Sequence, residues 1–375
     1  MRRARWHAAV HAVGKIALLP VHQAAASVVC FLEGMVLASN GQSCLVCWGG
    51  GRVRQHRRGR RRIGRFVAIM VVVVVMAAIA GAVVLHDRSS GPGGPLPVHL
   101  PTTPQSYVGV YAPKVPASYA GVTAFSSATG VSPDVVMFYS GWYQSFPQRF
   151  AATAAQHGAV PLVQMDPVGV SLASIASGHY DGYLSSYAEA VRGYGHPVIL
   201  SFGHEMNGNW YSWGYQHTSP KAFVASWRHI VTLFRALDAR NVTWLWTVNI
   251  INDTQHGTIP APAPWWPGSA YVTWVGIDGY YLKPSWQFAP LFGPTIAAVR
   301  KLTADPILIA ETGAVPAAGK PAKITNLFAG IHAYGLLGFV WFNNANTQGS
   351  DFSINTPAAA AAFHRGAQTI TRPAS

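Results

Sequence analysis

The stretch "PVILSFGHE" (residues 197–205) runs from a proline through short aliphatic and aromatic residues to a glycine, a histidine and a glutamate. A continuous apolar run of this length reads as a strand buried on both faces, because a strand with one wet face would alternate. Its ending is unusual in this chain. Only 13 of 375 residues are Asp or Glu, yet one of them, Glu205, closes the run and is followed by "MNGNWYSWG" (206–214).

Seven other runs share the pattern: "YVGVYA" (107–112), "VVMFYSG" (135–141), "VPLVQMD" (160–166), "VTWLWTVN" (242–249), "WVGIDGYY" (274–281), "ILIAETG" (307–313) and "GFVWFNN" (338–344). Helix-like segments lie between them, such as "PKAFVASWRHIVTLFRALDA" (220–239), with Pro220 at its start and apolar residues at helical spacing. Doubly buried strands alternating with helices make a parallel sheet. Eight such units in about 260 residues predict a (β/α)8 TIM barrel over residues 107–370. The other architecture, a doubly wound sheet, lacks the glycine-rich GxGxxG after its first strand.

The net charge of +14 is unevenly placed. Residues 1–65 hold 12 Lys and Arg against one acid, Glu33, whereas the remaining 310 residues are nearly neutral. The segment "FVAIMVVVVVMAAIAGAVVL" (66–85) is uncharged and long enough, at 1.5 Å per residue, to span a hydrocarbon core of roughly 30 Å. The arginine run "RVRQHRRGRRRIGR" just before it therefore reads as a topology signal rather than a nucleic-acid interface. The expected organisation is a basic cytoplasmic arm (1–65), one transmembrane anchor (66–85), a Pro/Gly-rich linker (86–106) and an extracellular domain at the cell membrane. Secretion after cleavage near Ala80 is the competing reading. Cys30, Cys44 and Cys47 all precede the apolar segment. "CLVC" has no second CxxC or His pair beside it, so it is given no redox or metal role.

In seven of the eight runs the apolar part gives way, at its C-terminal end, to polar or aromatic residues, among them Asp166, Glu205, Asn249, Asp278, Tyr280, Glu311 and Asn343. TIM-barrel enzymes build their sites at that face. Glu205 and Glu311 end the fourth and seventh strands and so face each other across the mouth. Two opposed carboxyls are what glycoside hydrolysis requires, about 5–5.5 Å apart where configuration is retained. Met206 and Trp210 beside Glu205 suggest a desolvated, protonated acid. A tyrosine hydroxyl from Tyr280 or Tyr281 would favour ionised Glu311. Aromatic residues at or beyond strand ends, including Trp142, Trp210, Trp213 and Trp341, offer flat faces to sugar rings.

"GHEMNGNWYSWG", "GIDGYY", "ILIAETG" and "VWFN" together resemble glycoside hydrolase family 26 across residues 107–370. The resemblance implies a retaining endo-glycosidase acting on a β-linked polysaccharide, with β-mannan favoured over β-glucan. It implies Glu205 as acid/base and Glu311 as nucleophile. His204, Asn207, Trp210, Tyr280 and Trp341 would bind substrate, with Trp142, Trp213 and Asp278 joining them on position. No metal or cofactor is expected, no nucleic acid, and the catalytic domain would be monomeric. A polysaccharide-binding protein with an idle cleft is the other class of function. Other chemistries fail on spacing: "HEMNG" has Gly208 where a zincin needs its second His, and neither GxSxG nor a phosphate-binding Walker loop occurs.

Overall fold

A computed structural model describes residues 100–251, 259–345, 347 and 349–371. The expectations for the basic arm, the apolar segment 66–85 and the linker up to residue 99 lie outside these residues. Among the described residues no helix is long and apolar enough to cross a membrane.

Eight parallel strands close into a barrel in sequence order. They are β1 (Tyr107–Tyr111), β2 (Val135–Gly141), β3 (Val160–Asp166), β4 (Val198–Phe202), β5 (Val242–Asn249), β6 (Trp274–Asp278), β7 (Ile307–Thr312) and β8 (Gly338–Phe342). Closure comes from β8 pairing with β1, from Tyr107↔Gly338 to Tyr111↔Phe342. At that seam Gly338 has φ +147°, and any side chain there would strike the Tyr107 backbone. The helices are α1 (Ala120–Thr129), α2 (Gln148–Gln156), α3 (Leu172–Ala176), α4 (Asp181–Tyr194), α5 (Pro220–Ala236), α6 (Phe288–Arg300), α7 (Lys320–Ala333) and α8 (Pro357–Ala367).

Strand parity sorts the core into two layers. Val135, Met137, Leu162, Ile199, Leu245, Trp274, Leu308 and Val340 fill the barrel interior. Their neighbours Val136, Phe138, Leu200, Trp246, Val275, Ile309 and Trp341 pack outward under the helices. Helix α5 illustrates how those helices are specified. Ser219 caps its start by accepting from Ala222 N–H, Pro220 occupies the first turn, and Phe223, Trp227, Ile230, Val231 and Phe234 are buried.

Two features depart from the sequence reading. After β5 the described chain forms only short 3-10 turns, Ala263–Trp265 and Ser269–Tyr271, because Pro260, Pro262, Pro264 and Pro267 forbid a continuous helix there. The end of the linker also belongs to the domain. Leu100 packs against the interior cluster, Tyr107 O–H donates to Pro101 O at 2.7 Å, and Gln105 and Ser106 N–H bond the carbonyls of Leu336 and Leu337.

Candidate active site

Strand β4 stops at Phe202, three residues before Glu205. Gly203 and Glu205 both take φ +55°. The turn nevertheless keeps its pairing: Gly203 N–H donates to Met165 O at 2.9 Å and Glu205 N–H to Thr247 O at 3.0 Å. A glutamate in the left-handed region costs about 1 kcal/mol, a strain typical of functional sites. The twist turns two successive side chains into the barrel mouth. His204 Nδ1 meets Asp166 Oδ1 at 2.8 Å, and its Nε2 lies 3.2 Å from the Tyr211 hydroxyl. Glu205 accepts from Asn249 Nδ2 at 2.6 Å and from the indole N–H of Trp210 at 2.8 Å.

Glu311 arrives by a different route. Between Gly276 and Asp278 of β6, and between Phe339 and Trp341 of β8, β7 carries one extra residue. This bulge turns Glu311 into the mouth directly after inward-facing Ala310. Tyr139 O–H donates to Glu311 Oε2 and Tyr280 O–H to Oε1. Tyr111 stacks on Phe342 at 4.5 Å beside this pair, its phenol raised by burial and then by the charge of Glu311.

Charge is concentrated here. Burial and then the charge of Glu205 push the Glu311 carboxyl up to about 7, while His204 and the two tyrosine hydroxyls pull it down. This corrects the expectation that Glu311 is held simply ionised. The hydrogen bonds act in the expected direction, but burial beside a second carboxylate outweighs them. For His204, burial opposes charge, yet Asp166 foremost, then Glu205 and Glu311, raise it to about 9, so it is an imidazolium at neutral pH. Asp278 lies fully buried, its carboxyl pushed well up by burial and then by Glu311, Glu205 and Asp166. Neither of its oxygens has a hydrogen-bond partner among the described residues.

Several predicted substrate contacts are placed elsewhere. Trp341 is fully buried on the outward side of β8, packed edge-on against Phe363, with its indole N–H on Phe352 O at 2.9 Å. It is a wedge between barrel and helix, not a sugar platform. Trp142 is likewise buried, against Tyr183 and Phe202. Trp213 stacks on Tyr211 at 4.4 Å and donates to His204 O, so it props the histidine from behind. Asn207 is fully buried and spends its amide on the Asn249 backbone, joining the loop after β4 to β5. Asp278 has no exposed surface to offer a ligand. Trp210 is half-buried and does border the cleft. Tyr281, the other candidate for Glu311, turns outward, is fully buried and packs toward Phe292 of α6.

Sequence reasoning missed Tyr139 and Tyr111, each a tyrosine inside an apolar run. It also missed Lys320 and Lys323, both buried at the start of α7 and both lowered by burial. Lys320 Nζ donates to the carbonyls of Asp351 (3.0 Å) and Ser353, after β8. Lys323 Nζ donates to those of Pro284 and Trp286, after β6. The two ammonium groups fasten the loops on either side of the Glu311 strand.

Residues 164–329, from β3 into α7, match the family model of glycosyl hydrolase family 26. Endoglucanase H of Acetivibrio thermocellus is 29% identical over 260 residues, covering 65% of this chain and 28% of that protein. Mannan endo-1,4-beta-mannosidase A and B of Caldalkalibacillus mannanilyticus is 30% identical over 88 residues, 22% of this chain and 16% of that protein. The chain thus spans less than a third of the curated relatives it matches. Among solved structures, a modular endo-beta-1,4-mannanase from Cellulomonas fimi shares the fold at TM-score 0.54 and 17% identity, covering 70% of each chain. Both strand-end glutamates, Glu205 and Glu311, fall inside the region that matches this family model.

Proposed function

We propose that this protein is a retaining endo-glycoside hydrolase that cleaves internal β-linkages of a polysaccharide, β-mannan foremost and β-1,3/1,4-glucan next. The observation that carries the reading is the pair of carboxyls on opposed strand ends with different partners. Each oxygen of Glu311 receives one tyrosine hydroxyl, which fixes the carboxylate for attack along one line. Glu205 sits beside the half-buried Trp210 indole, at the edge where a leaving sugar departs. In the first step Glu311 attacks the anomeric carbon while Glu205 gives its proton to the glycosidic oxygen, and that bond breaks. Esterification removes the charge of Glu311. Glu205, left as a carboxylate once its proton has gone to the leaving sugar, takes a proton from the water that attacks the glycosyl ester, and the released Glu311 regains its charge.

The mannan preference draws on the named activity of the mannosidase and the glucan option on that of the endoglucanase. The domain acts as a monomer outside the cell, held at the membrane by residues 66–85 with the arginine-rich arm inside; release by cleavage near Ala80 would make it secreted.

The test is reducing-sugar release by the purified chain in detergent on mannan, glucomannan, mixed-linkage glucan and β-1,3-xylan, with Glu205→Ala and Glu311→Ala alongside. Cleavage of one polymer with net retention, abolished in Glu311→Ala, is expected. Binding without cleavage makes the protein a carbohydrate-binding module instead, and full activity in Glu311→Ala overturns the nucleophile.

A further inference from the structure

Among the described residues three large apolar side chains are strongly exposed: Tyr143 (64%), Val168 (60%) and Tyr334 (38%). Tyr334 follows α7 and lies away from the site, at the opposite end of the barrel. The other two are on the mouth, and their positions correspond. Gly141 at the end of β2 pairs with Asp166 at the end of β3. Tyr143 stands two residues beyond the first and Val168 two beyond the second. Adjacent strands thus each carry one exposed apolar residue in the turn just beyond their C-terminal ends, on the side of the mouth where Tyr139 and Asp166 enter the site.

Isolated surface tyrosines are ordinary. This one is held in place at a cost. Gln144 N–H closes a four-residue turn on Gly141 O at 3.1 Å, and Tyr143 is its third residue, with φ +68°. Turns of that shape put Gly or Asn there. The turn is fixed again by Gly141 N–H on Gln144 Oε1 (2.9 Å) and by the Tyr183 hydroxyl on Gln144 O (3.1 Å). The Tyr143 ring meets Tyr183 and Tyr180 in T-shaped contacts at 5.5 and 6.0 Å, and Trp142 supports both from below. The exposed ring is therefore rigid, so little side-chain entropy is lost when something packs on it.

We propose that Tyr143 and Val168 form a rim subsite that takes a pyranose ring of the polysaccharide remote from the scission point, with the Tyr143 ring as its stacking face. The aromatic platform expected at Trp142 is thereby moved one residue along the chain. The subsite rests on the hydrolase reading above, and its occupant is the same chain of sugars extended over the rim.

The test measures kcat/KM of the full chain on β-1,4-manno-oligosaccharides and mixed-linkage gluco-oligosaccharides from trimer to hexamer. Tyr143→Gly removes the ring and also relieves the left-handed backbone, so its melting temperature should equal or exceed the wild type. In the wild type the rate rises at the length that first reaches the rim. In Tyr143→Gly that increment is lost, about three- to tenfold on the longer substrates, with the trimer unchanged. Tyr143→Phe keeps the increment, and Val168→Ser loses a smaller part of it. If Tyr143→Gly retains the full length dependence, or Tyr143→Phe loses it, the subsite does not exist. If the wild type cleaves neither series, the hydrolase reading fails and the subsite falls with it.

Discussion

Tyr139→Phe removes one hydroxyl and leaves the ring that packs beside His204, at 5.5 Å, in place. In the wild type that hydroxyl donates to Glu311 Oε2 while Tyr280 holds Oε1. Both donors favour the ionised carboxylate against burial and the charge of Glu205, and together with His204 they leave it at about 7. A hydrogen bond to a charged group contributes about 1.5–3 kcal/mol, and 1.36 kcal/mol corresponds to one pH unit. Losing one donor therefore raises the titration of Glu311 by about one unit or more. At pH 7 the ionised fraction falls from about half to about a tenth. The expected result is a loss of about fivefold or more in kcat/KM at pH 7 on the polymer that the wild type cleaves. The acid limb of the pH profile should move upward by about one unit, narrowing the active range. Tyr280→Phe should do the same, because it holds the other oxygen. If Tyr280→Phe moves the limb and Tyr139→Phe does not, Tyr139 is not bonded to the nucleophile in the working enzyme and the assignment is wrong.

Two other outcomes follow from the geometry. The His204 imidazolium titrates near 9, above its ordinary value of about 6.5, so it contributes stability in full below about 6.5 and loses it as pH rises through about 9. Asp166→Asn should accordingly lower the melting temperature most near pH 6, with the deficit shrinking between pH 6.5 and 9; a pH-independent deficit contradicts the ion pair. Trp341→Ala deletes a fully buried indole and should cost about 3–5 kcal/mol in denaturant unfolding, with KM of the folded fraction unchanged. A raised KM at unaltered stability would restore Trp341 as a sugar platform.

The barrel was legible in the sequence because a parallel strand covered on both faces leaves an unbroken apolar run, and all eight runs of that kind became strands. The carboxyl pair was legible for a different reason. In a chain with so few acids, Asp166, Glu205, Asp278 and Glu311 at strand ends have little competition for notice. What failed was the assignment of faces. Distance from a strand end passes over Tyr139, inside its run, and makes a platform of Trp341. Parity separates them: Val135 and Met137 face inward, so Tyr139 does; Val340 and Phe342 face inward, so Trp341 does not. The same count puts Trp142 outside. The loop residues Asn207 and Trp213 had no such rule, since their hydrogen bonds to Asn249 and His204 depend on how the loop after β4 folds back.

Parity also explains why the two strands that carry the glutamates are the irregular ones. Continued regularly from inward-facing Ile199, β4 would send Glu205 inward and His204 out under the helices. The paired left-handed residues at 203 and 205 bring both into the mouth. Continued regularly from inward-facing Leu308 and Ala310, β7 would send Glu311 outward, into an apolar layer where a charge has no partner. The bulge puts Ala310 and Glu311 inward together. Each departure yields one more inward polar side chain than a period of two allows, and the proposed chemistry uses both. Glu311 must reach two tyrosines and feel Glu205, and His204 must place its charge against both glutamates. The broken alternation of β4 and β7 lies at the top of the barrel, above layers of Leu, Ile, Val and Trp that alternate regularly. The regular lower layers supply the stability that lets the mouth remain irregular.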